Sequence, residues 1–395
     1  MASLTRITSH IDKDAPSCRV FGKHPLSIRV NQIKNERYQF SNYTPKHKRQ
    51  IAALRSRVFG GTVEQNLNYI EWKYARNPYL DKPHLYVALH QGKVVGVQAM
   101  YGNAWIVAGM NRLCVIPCGA DFIVDEDHRG QGLGTKLLNF KIKEIANEIY
   151  DVAMELSANI SSRSVFAKAG FKRIATYETF LSGDAAKPSP FSRALKKISK
   201  GFFKTRPNDC LAKFDAWAKE SHGNIYGASN ARILEMSQLV SHAQRSEESY
   251  HLRDEVYYRW RLKNPLAHYR YIYHENDGSL DGYLIIQVPV AGHRATIIDW
   301  ESSTDEIWCK LVAAAVESGA KPLAIVSPGY TDYQMTELKR RNFVSAVENT
   351  APDRPGPGIY LKTLDSNDHQ DNCNKLGDLI ANNKLNMRII ASDAF

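Results

Sequence analysis

Residues 121–138 read DFIVDEDHRGQGLGTKLL, and their order of chemistry points to a fold. Phe122–Val124 close an apolar strand, a turn of small residues follows, and an amphipathic helix begins at about Gly132. Gly130, Gly132 and Gly134 let the backbone approach a ligand closely and turn several N–H groups outward. The helix adds its own unsatisfied N–H groups and the positive end of its dipole. A phosphate or pyrophosphate suits such a place. The pattern is not a Walker loop, because GxxxxGK[ST] is missing, and not a dinucleotide fingerprint, because the flanking strands read as mostly antiparallel. The plainer alternative is a glycine-rich strand–helix turn with no ligand.

Working outward, the preceding residues read as a strand near 37–41, helices at about 46–58 and 64–75, and strands at 84–89, 93–102 and 113–124. The helix at 132–148 is followed by a strand at 152–157, a short helix at 162–169 and one strand over 171–181. A second region repeats the opening of the first. Tyr69 and Trp72 answer Tyr257 and Trp260 at the same spacing. A basic residue follows each tryptophan (Lys73, Arg261), then an Asn-Pro pair (Asn77-Pro78, Asn264-Pro265), then a strand, then two glycines four apart (Gly92 and Gly96, Gly278 and Gly282). A strand at 294–300, a helix at 305–319, a strand at 323–327 and a short helix at 335–342 continue the second copy, with a loop at 365–374 and a closing strand at 387–391. Repetition of this kind predicts two related domains in tandem.

The bulk properties agree. At about 150 residues per domain, 395 residues make two to three domains, and 43% hydrophobic content fills more than one core. No apolar run reaches the roughly 18 residues of a membrane-spanning helix, and the polar start MASLTRITSHIDKDAPSC predicts a cytoplasmic protein. The six cysteines (Cys18, Cys114, Cys118, Cys210, Cys309, Cys373) form no CxxC pair, so neither a disulfide scaffold nor a structural zinc is expected. The net charge of +11 suggests nucleic acid, but 7 of those charges fall between Asp184 and Asp209 (Lys187, Arg193, Lys196, Lys197, Lys200, Lys204, Arg206). The basicity is local, and no nucleic-acid partner is expected.

Arg129-x-x-Gly132-x-Gly134 resembles the acyl-CoA pyrophosphate loop of the GNAT superfamily of N-acyltransferases, whose pattern is Q/R-x-x-G-x-G/A. Asn159, Phe166, Lys168 and Gly170-Phe171 are similar to a second segment of that family, N…Y.K.GF. The resemblance covers 36–182 by motif and 225–395 only through the internal repeat. It implies an α/β (α+β) architecture of two tandem GNAT-like domains, each a mixed, mostly antiparallel sheet flanked by helices. The divisions are a polar extension at 1–35, a GNAT domain at 36–182, a basic linker at 183–224 and a degenerate GNAT-like domain at 225–395. The co-substrate implied is acetyl-CoA or another acyl-CoA, with no metal. By position, the loop of Arg129, Gly130, Gln131, Gly132, Leu133 and Gly134, with Thr135 at the helix start, would hold the pyrophosphate. Phe122, Ile123 and Val124 would lie along the pantetheine, and Asn159 would help hold the cofactor. Phe166 stands where many members carry the tyrosine that protonates the departing thiolate.

Acyl transfer to an amine needs the neutral amine, and a carboxylate can take its proton. Asp121, beside the expected thioester, and Glu155, on the neighbouring strand, are the candidates, though Asp121 equally suits a cap or salt bridge. Cys118 has no histidine placed to activate it and reads as a buried thiol. The second copy has TIIDWESSTDEI at 296–307, with no RxxGxG, and Asp299, Glu301 and Asp305 stand where a phosphate would need N–H groups. That half is not expected to bind CoA; the resemblance implies that it shapes the acceptor site. The expected activity is N-acyl transfer to a small-molecule or glycan-derived amine, such as an amino sugar, a leaning drawn from the likeness of the W-K/R-x-x-x-N-P start and the closing SDAF to tandem GNAT proteins found with polysaccharide-synthesis genes. The alternatives are a non-catalytic acyl-CoA-binding module and an aminoacyl-tRNA-dependent transferase of tandem-GNAT type. In 189–206, Phe191, Leu195, Ile198 and Phe202 fall on one helical face among Arg193, Lys196, Lys197, Lys200 and Lys204. Such a helix either packs across the two domains or lies on the inner face of an anionic membrane, where the protein would be peripheral.

Overall fold

Two sheets take up the strands, and each includes at least one strand from the other half of the chain. The computed structural model describes residues 37–108, 113–148, 150–158, 160–182, 207–220, 222–243, 248–290, 294–327, 330–345, 358–364, 376–380 and 385–386. The expected amphipathic helix at 189–206, the extension at 1–35, the loop at 365–374, the closing strand at 387–391 and Asn159 lie outside the described residues.

The first sheet runs β1 (Gln39–Asn42), β2 (His84–His90), β3 (Lys93–Ile106), β4 (Leu113–Val124), β5 (Val152–Ala158), β15 (Gly358–Thr363) and β6 (Lys172–Thr176). Two short strands, β9 (Ser249–His251) and β16 (Leu385–Asn386), extend it from the end of β3. The second sheet runs β14 (Val344–Ser345), β7 (Glu178–Leu181), β13 (Leu323–Ser327), β12 (Ala295–Ser302), β11 (Ser279–Pro289), β10 (Ala267–Asn276) and β8 (Ile225–Ala228). β4 and β5 pair in parallel, as do β12 and β13, and most other neighbours are antiparallel. The mixed, mostly antiparallel architecture expected from the sequence is therefore present twice.

The single strand expected over 171–181 is two strands in different sheets. β6 stays in the first sheet, while β7 pairs with β13 through Leu181↔Ala324 to Glu178↔Ser327. In return β15 inserts between β5 and β6. A sequence division at 182 therefore does not divide the sheets. Part of the expected linker is structural as well: α5 (Pro207–Trp217) buries Cys210, Phe214 and Trp217 in the core beneath the second sheet.

The repeat has a physical meaning at each shared residue. Both hairpins turn on a pair of residues with positive φ, Gln91-Gly92 and Asp277-Gly278, the conformation of a two-residue hairpin loop. Four residues past each turn glycine, a helix crosses the sheet too closely for a side chain. A Cβ on Gly96 would meet Leu137 of α3 (Leu133–Ala146) at 3.3 Å, and one on Gly282 would meet Ile307 of α8 (Asp305–Glu317) at 2.5 Å. Trp72 and Trp260 stack with centroids 5.4 Å apart. Each indole N–H donates to the other's carbonyl, Trp72 Nε1 to Trp260 O at 2.7 Å and Trp260 Nε1 to Trp72 O at 2.9 Å. The contact is reciprocal, so the two halves meet about a local pseudo-twofold.

Three apolar clusters follow from this arrangement. A central one joins both halves around Trp72, Trp105, Tyr257, Tyr258 and Tyr271; a second lies under α8 and a third under α3. Trp72 belongs to a π-helical turn, Glu71–Ala75, that extends α2 (Val63–Ile70), where a regular continuation of the helix was expected. The short helix expected at 335–342 lies slightly earlier, as α9 (Asp332–Arg340).

Candidate active site

The strand–turn–helix at 121–138 forms one wall of a cavity of about 970 Å³. β3 and β4 lose register between Val97/Ala99 and Ile123/Ala120, so β4 carries one extra residue there, with Asp121 at φ 49°. Such a bulge re-aims side chains and frees backbone groups from the ladder. On its other edge β4 pairs with β5 only at Cys118↔Met154 and Gly119↔Glu155. Beyond that pair the strands diverge, and the cavity opens between them.

At one end of the cavity, α3 starts from Gly132 in the left-handed region, φ 72°, with no side-chain cap. Its first internal hydrogen bond is Lys136 N to Gly132 O at 3.1 Å, so the N–H groups of Leu133, Gly134 and Thr135 precede the helical ladder. Gly130 also has positive φ, and a Cβ at 130 or 132 would meet nothing within 4 Å. These two glycines are set by backbone conformation. Gly134 differs, since a Cβ there would press on the Phe122 ring at 3.0 Å. Arg129 is exposed and its Nε donates to Val124 O at 2.9 Å, closing the end of β4. Tyr38, which the sequence reading did not single out, fixes the turn from outside: its hydroxyl donates to Gln131 Oε1 at 2.8 Å and shares a hydrogen bond with His128 Nδ1 at 3.0 Å. Phe122, Ile123, Val124, Arg129, Gly130, Gly132, Leu133, Gly134, Thr135 and Phe166 all line the cavity.

Both candidate carboxylates also line it, and both are paired. Asp121 forms an ion pair with Arg55 of α1 (Lys48–Phe59) and accepts from the Tyr74 hydroxyl at 2.6 Å. Glu155 accepts from Lys141 Nζ at 2.6 Å. Lys141 is only 1% exposed and sits in the apolar stripe of α3 among Leu137, Leu138 and Ile145. Burial pushes the Glu155 carboxyl above its ordinary pKa, against the opposing pull of Lys141. The Glu155 carboxylate lies directly over Gly119, where any Cβ would overlap it. Gly119 is thus fixed by an acid on the next strand, a pairing that appears only when the sheet is built.

Phe166 of α4 (Ile160–Lys168) is buried and packs on Phe122, Phe171 and, from the exchanged strand, Tyr360. Burial raises the Cys118 thiol well above its ordinary pKa, as suits a structural thiol. Among the described residues no cluster of three metal-ligating side chains occurs, and no helix is long and apolar enough to cross a membrane.

The far end of the cavity is built by both halves. Arg55, Phe59, Gln65 and Tyr69 come from the first, and Asn264, Leu266, Gln287, Pro289 and Val290 from the second. The corresponding turn in the second half is closed. Thr304 caps α8, its hydroxyl accepting from Ile307 N at 3.2 Å, and Asp305 and Glu306 fill the first turn. Asp299 and Glu301, expected to repel phosphate at that turn, are committed elsewhere: both pair with Arg253, and Asp299 is 0% exposed. The cap and the two acids of the first turn, rather than Asp299, set this helix apart from α3.

A family model described as an acetyltransferase (GNAT) domain matches residues 81–173. The chain carries a GNAT domain. The match covers β2 through α4, ends at the start of β6, and contains the turn, the bulge and the divergence of β4 from β5. Solved structures match across both halves and show the fold. A GCN5-related N-acetyltransferase from Anabaena variabilis is 12% identical, with a TM-score of 0.54 over 83% of this chain and 73% of the other. A conserved Enterococcus faecalis protein of unknown function is 11% identical, with a TM-score of 0.55 over 83% of this chain and 73% of its own. A tandem GNAT protein from the clavulanic acid biosynthesis pathway is 12% identical, with a TM-score of 0.50 over 84% of this chain and 100% of its own. No curated protein sequence matches. The fold is therefore a tandem of two GNAT-like halves, one of which matches the family model.

Proposed function

We propose that the protein transfers an acyl group, acetyl in the simplest case, from acyl-CoA to an amine. The observation that carries this reading is the uncapped start of α3, which opens on the same cavity as the gap between β4 and β5. The N–H groups of Leu133, Gly134 and Thr135, with the positive end of the helix, suit a pyrophosphate. The Phe122–Val124 segment, paired with β3 on one edge and left without a strand partner on the edge toward β5, suits the pantetheine arm.

The two carboxylates divide the remaining work. Asp121 is already engaged by the Arg55 guanidinium and the Tyr74 phenol. Its part is to orient the acceptor. Glu155, whose pKa burial raises above the ordinary carboxylate value, is the group that takes the proton. The neutral amine attacks the thioester carbon, the C–S bond breaks, and the amine proton passes by way of Glu155 to the CoA thiolate. Phe166 gives no proton at this step.

The test is calorimetric titration with acetyl-CoA, followed by free-thiol release in the presence of amines. Micromolar binding with amine-dependent thiol release is expected. Binding without release by any amine would favour a second reading, an acyl-CoA-binding module without turnover, which the pairing of both carboxylates and Phe166 supports. No binding would overturn both.

A further inference from the structure

The chemistry of the acceptor end is graded from a paired polar floor to an apolar mouth. Val58 and Phe59, at the end of α1, are 40% and 54% exposed, and both line the cavity. Across from them Leu266, Pro289 and Val290 of the second half, all half-buried, line it too. Beneath lie Arg55, Tyr69, Asp121, Asn264 and Gln287, which are buried or nearly so.

Those polar groups are engaged within the protein. Arg55 pairs with Asp121 and stacks on the Tyr69 ring, its Cζ 3.8 Å from the centroid. Asn264 Oδ1 accepts from Leu266 N at 3.0 Å, and Gln287 Oε1 from Arg261 at 3.5 Å. Gln65 Oε1 accepts from Thr62 N at 2.8 Å. Each of these amide oxygens already accepts one donor from the protein, so the floor is held by internal bonds. An apolar body displaces only water from Phe59, Leu266, Pro289 and Val290.

Phe59 is also held where it is. Gly60 and Gly61 follow it at φ 84° and 75°, Gly60 N donates to Ser56 O at 3.0 Å, and Asn66 Nδ2 donates to Gly60 O at 3.0 Å. Ser56 Oγ donates to Gly61 O at 2.6 Å, so the turn that presents the ring is pinned at both glycines and the exposed ring is part of a formed wall.

We propose that the acceptor is a primary amine carried on an apolar body, aryl or alkyl, seated between Val58–Phe59 and Leu266–Pro289–Val290 with its nitrogen directed at Asp121. The proposal rests on the acyl-transfer reading above and replaces the amino sugar expected from the sequence with a different class.

The experiment compares phenethylamine, hexylamine and glucosamine as acceptors with acetyl-CoA, in the full chain and in Phe59→Ser, with acetyl-CoA affinity measured separately by calorimetry. The two apolar amines are expected to exceed glucosamine in kcat/KM by at least tenfold. Phe59→Ser should lower that advantage about tenfold through KM and leave acetyl-CoA affinity unchanged. Glucosamine used as well as phenethylamine, or a selectivity untouched by Phe59→Ser, would overturn the proposal while acetyl-CoA binding kept the acyl-transfer reading intact. A tenfold gain in affinity for dodecanoyl-CoA over acetyl-CoA that Phe59→Ser abolishes would also overturn it, since the apolar wall would then serve the acyl chain. Failure of any acyl-CoA to bind would instead sink the reading beneath it.

Discussion

Gly119→Ala tests whether the buried acid on β5 is held where the geometry of the site requires. The added methyl would overlap the Glu155 carboxylate, which already sits 2.6 Å from Lys141 Nζ. To reach ordinary contact the carboxylate must retreat by more than about 1 Å, enough to break that hydrogen bond in a close-packed interior. Breaking a buried pair costs about 3–5 kcal/mol and overpacking about 1–3 kcal/mol, so a partial retreat should cost about 3 kcal/mol. With about 2.1 cal/mol/K of unfolding entropy per residue over 395 residues, that lowers Tm by about 4 °C. Thermal unfolding followed by circular dichroism reads it. The control is the same change in a Glu155→Ala background, where the methyl has room; the cost of Gly119→Ala should fall below about 1 kcal/mol, a coupling of about 2 kcal/mol between contacting sites. A single variant within about 0.5 kcal/mol of the parent, or two changes that add, would refute the placement of Glu155 over Gly119.

Three further outcomes are expected. Calorimetry should give one acetyl-CoA per chain, and Gly132→Ala should weaken it at least tenfold while costing about 1–2 kcal/mol for a side chain at φ 72°; a stoichiometry of two would show that α8 also binds. The acid limb of kcat/KM should lie above the ordinary carboxylate range, because Glu155 must be ionised to accept a proton and burial raises its pKa. Lys141→Met removes the cation that opposes this rise, so the limb should move to still higher pH, and a limb that stays in place would exclude Glu155 as the base. Trp72→Phe and Trp260→Phe each delete one of the two reciprocal hydrogen bonds. Each should cost about 1 kcal/mol in urea unfolding, and the double variant should fall short of the sum through the shared stack; strict additivity would mean that the two indoles do not act as one contact.

What was legible in the sequence was local. The turn at 129–134, the hairpins at 91–92 and 277–278 and the tryptophan repeat all depend on residues near one another in the chain, whose backbone preferences and spacings can be read directly. β4 at 113–124 and β13 at 323–327 have the expected bounds for the same reason. What was hidden depends on which strand lies beside which. Nothing in 171–181 marks where β6 ends and β7 leaves for the other sheet, because no turn residue separates them and Tyr177 between them is itself buried. The partners of the two carboxylates were hidden too, though a trace existed. Lys141 stands in the apolar stripe of α3 and Arg55 on the buried face of α1, and a charge on such a face asks for a partner.

The two halves share nearly everything that makes the scaffold and differ where the chemistry is proposed. Both keep the positive-φ hairpin, the glycine under the crossing helix, the asparagine that closes the turn after the tryptophan, and one side of the indole exchange. These residues serve packing, and packing is needed in both copies because each sheet completes the other. The helix that follows the central strand pair is where they part. In the first half it begins at a glycine with its N–H groups uncapped; in the second a threonine hydroxyl and two acids occupy the same end. One helix start suits an anion and the other repels it, on a single fold. Relieved of that demand, the second half presents Leu266, Pro289 and Val290 to its neighbour's cavity, and the apolar wall can be read as the work left to it.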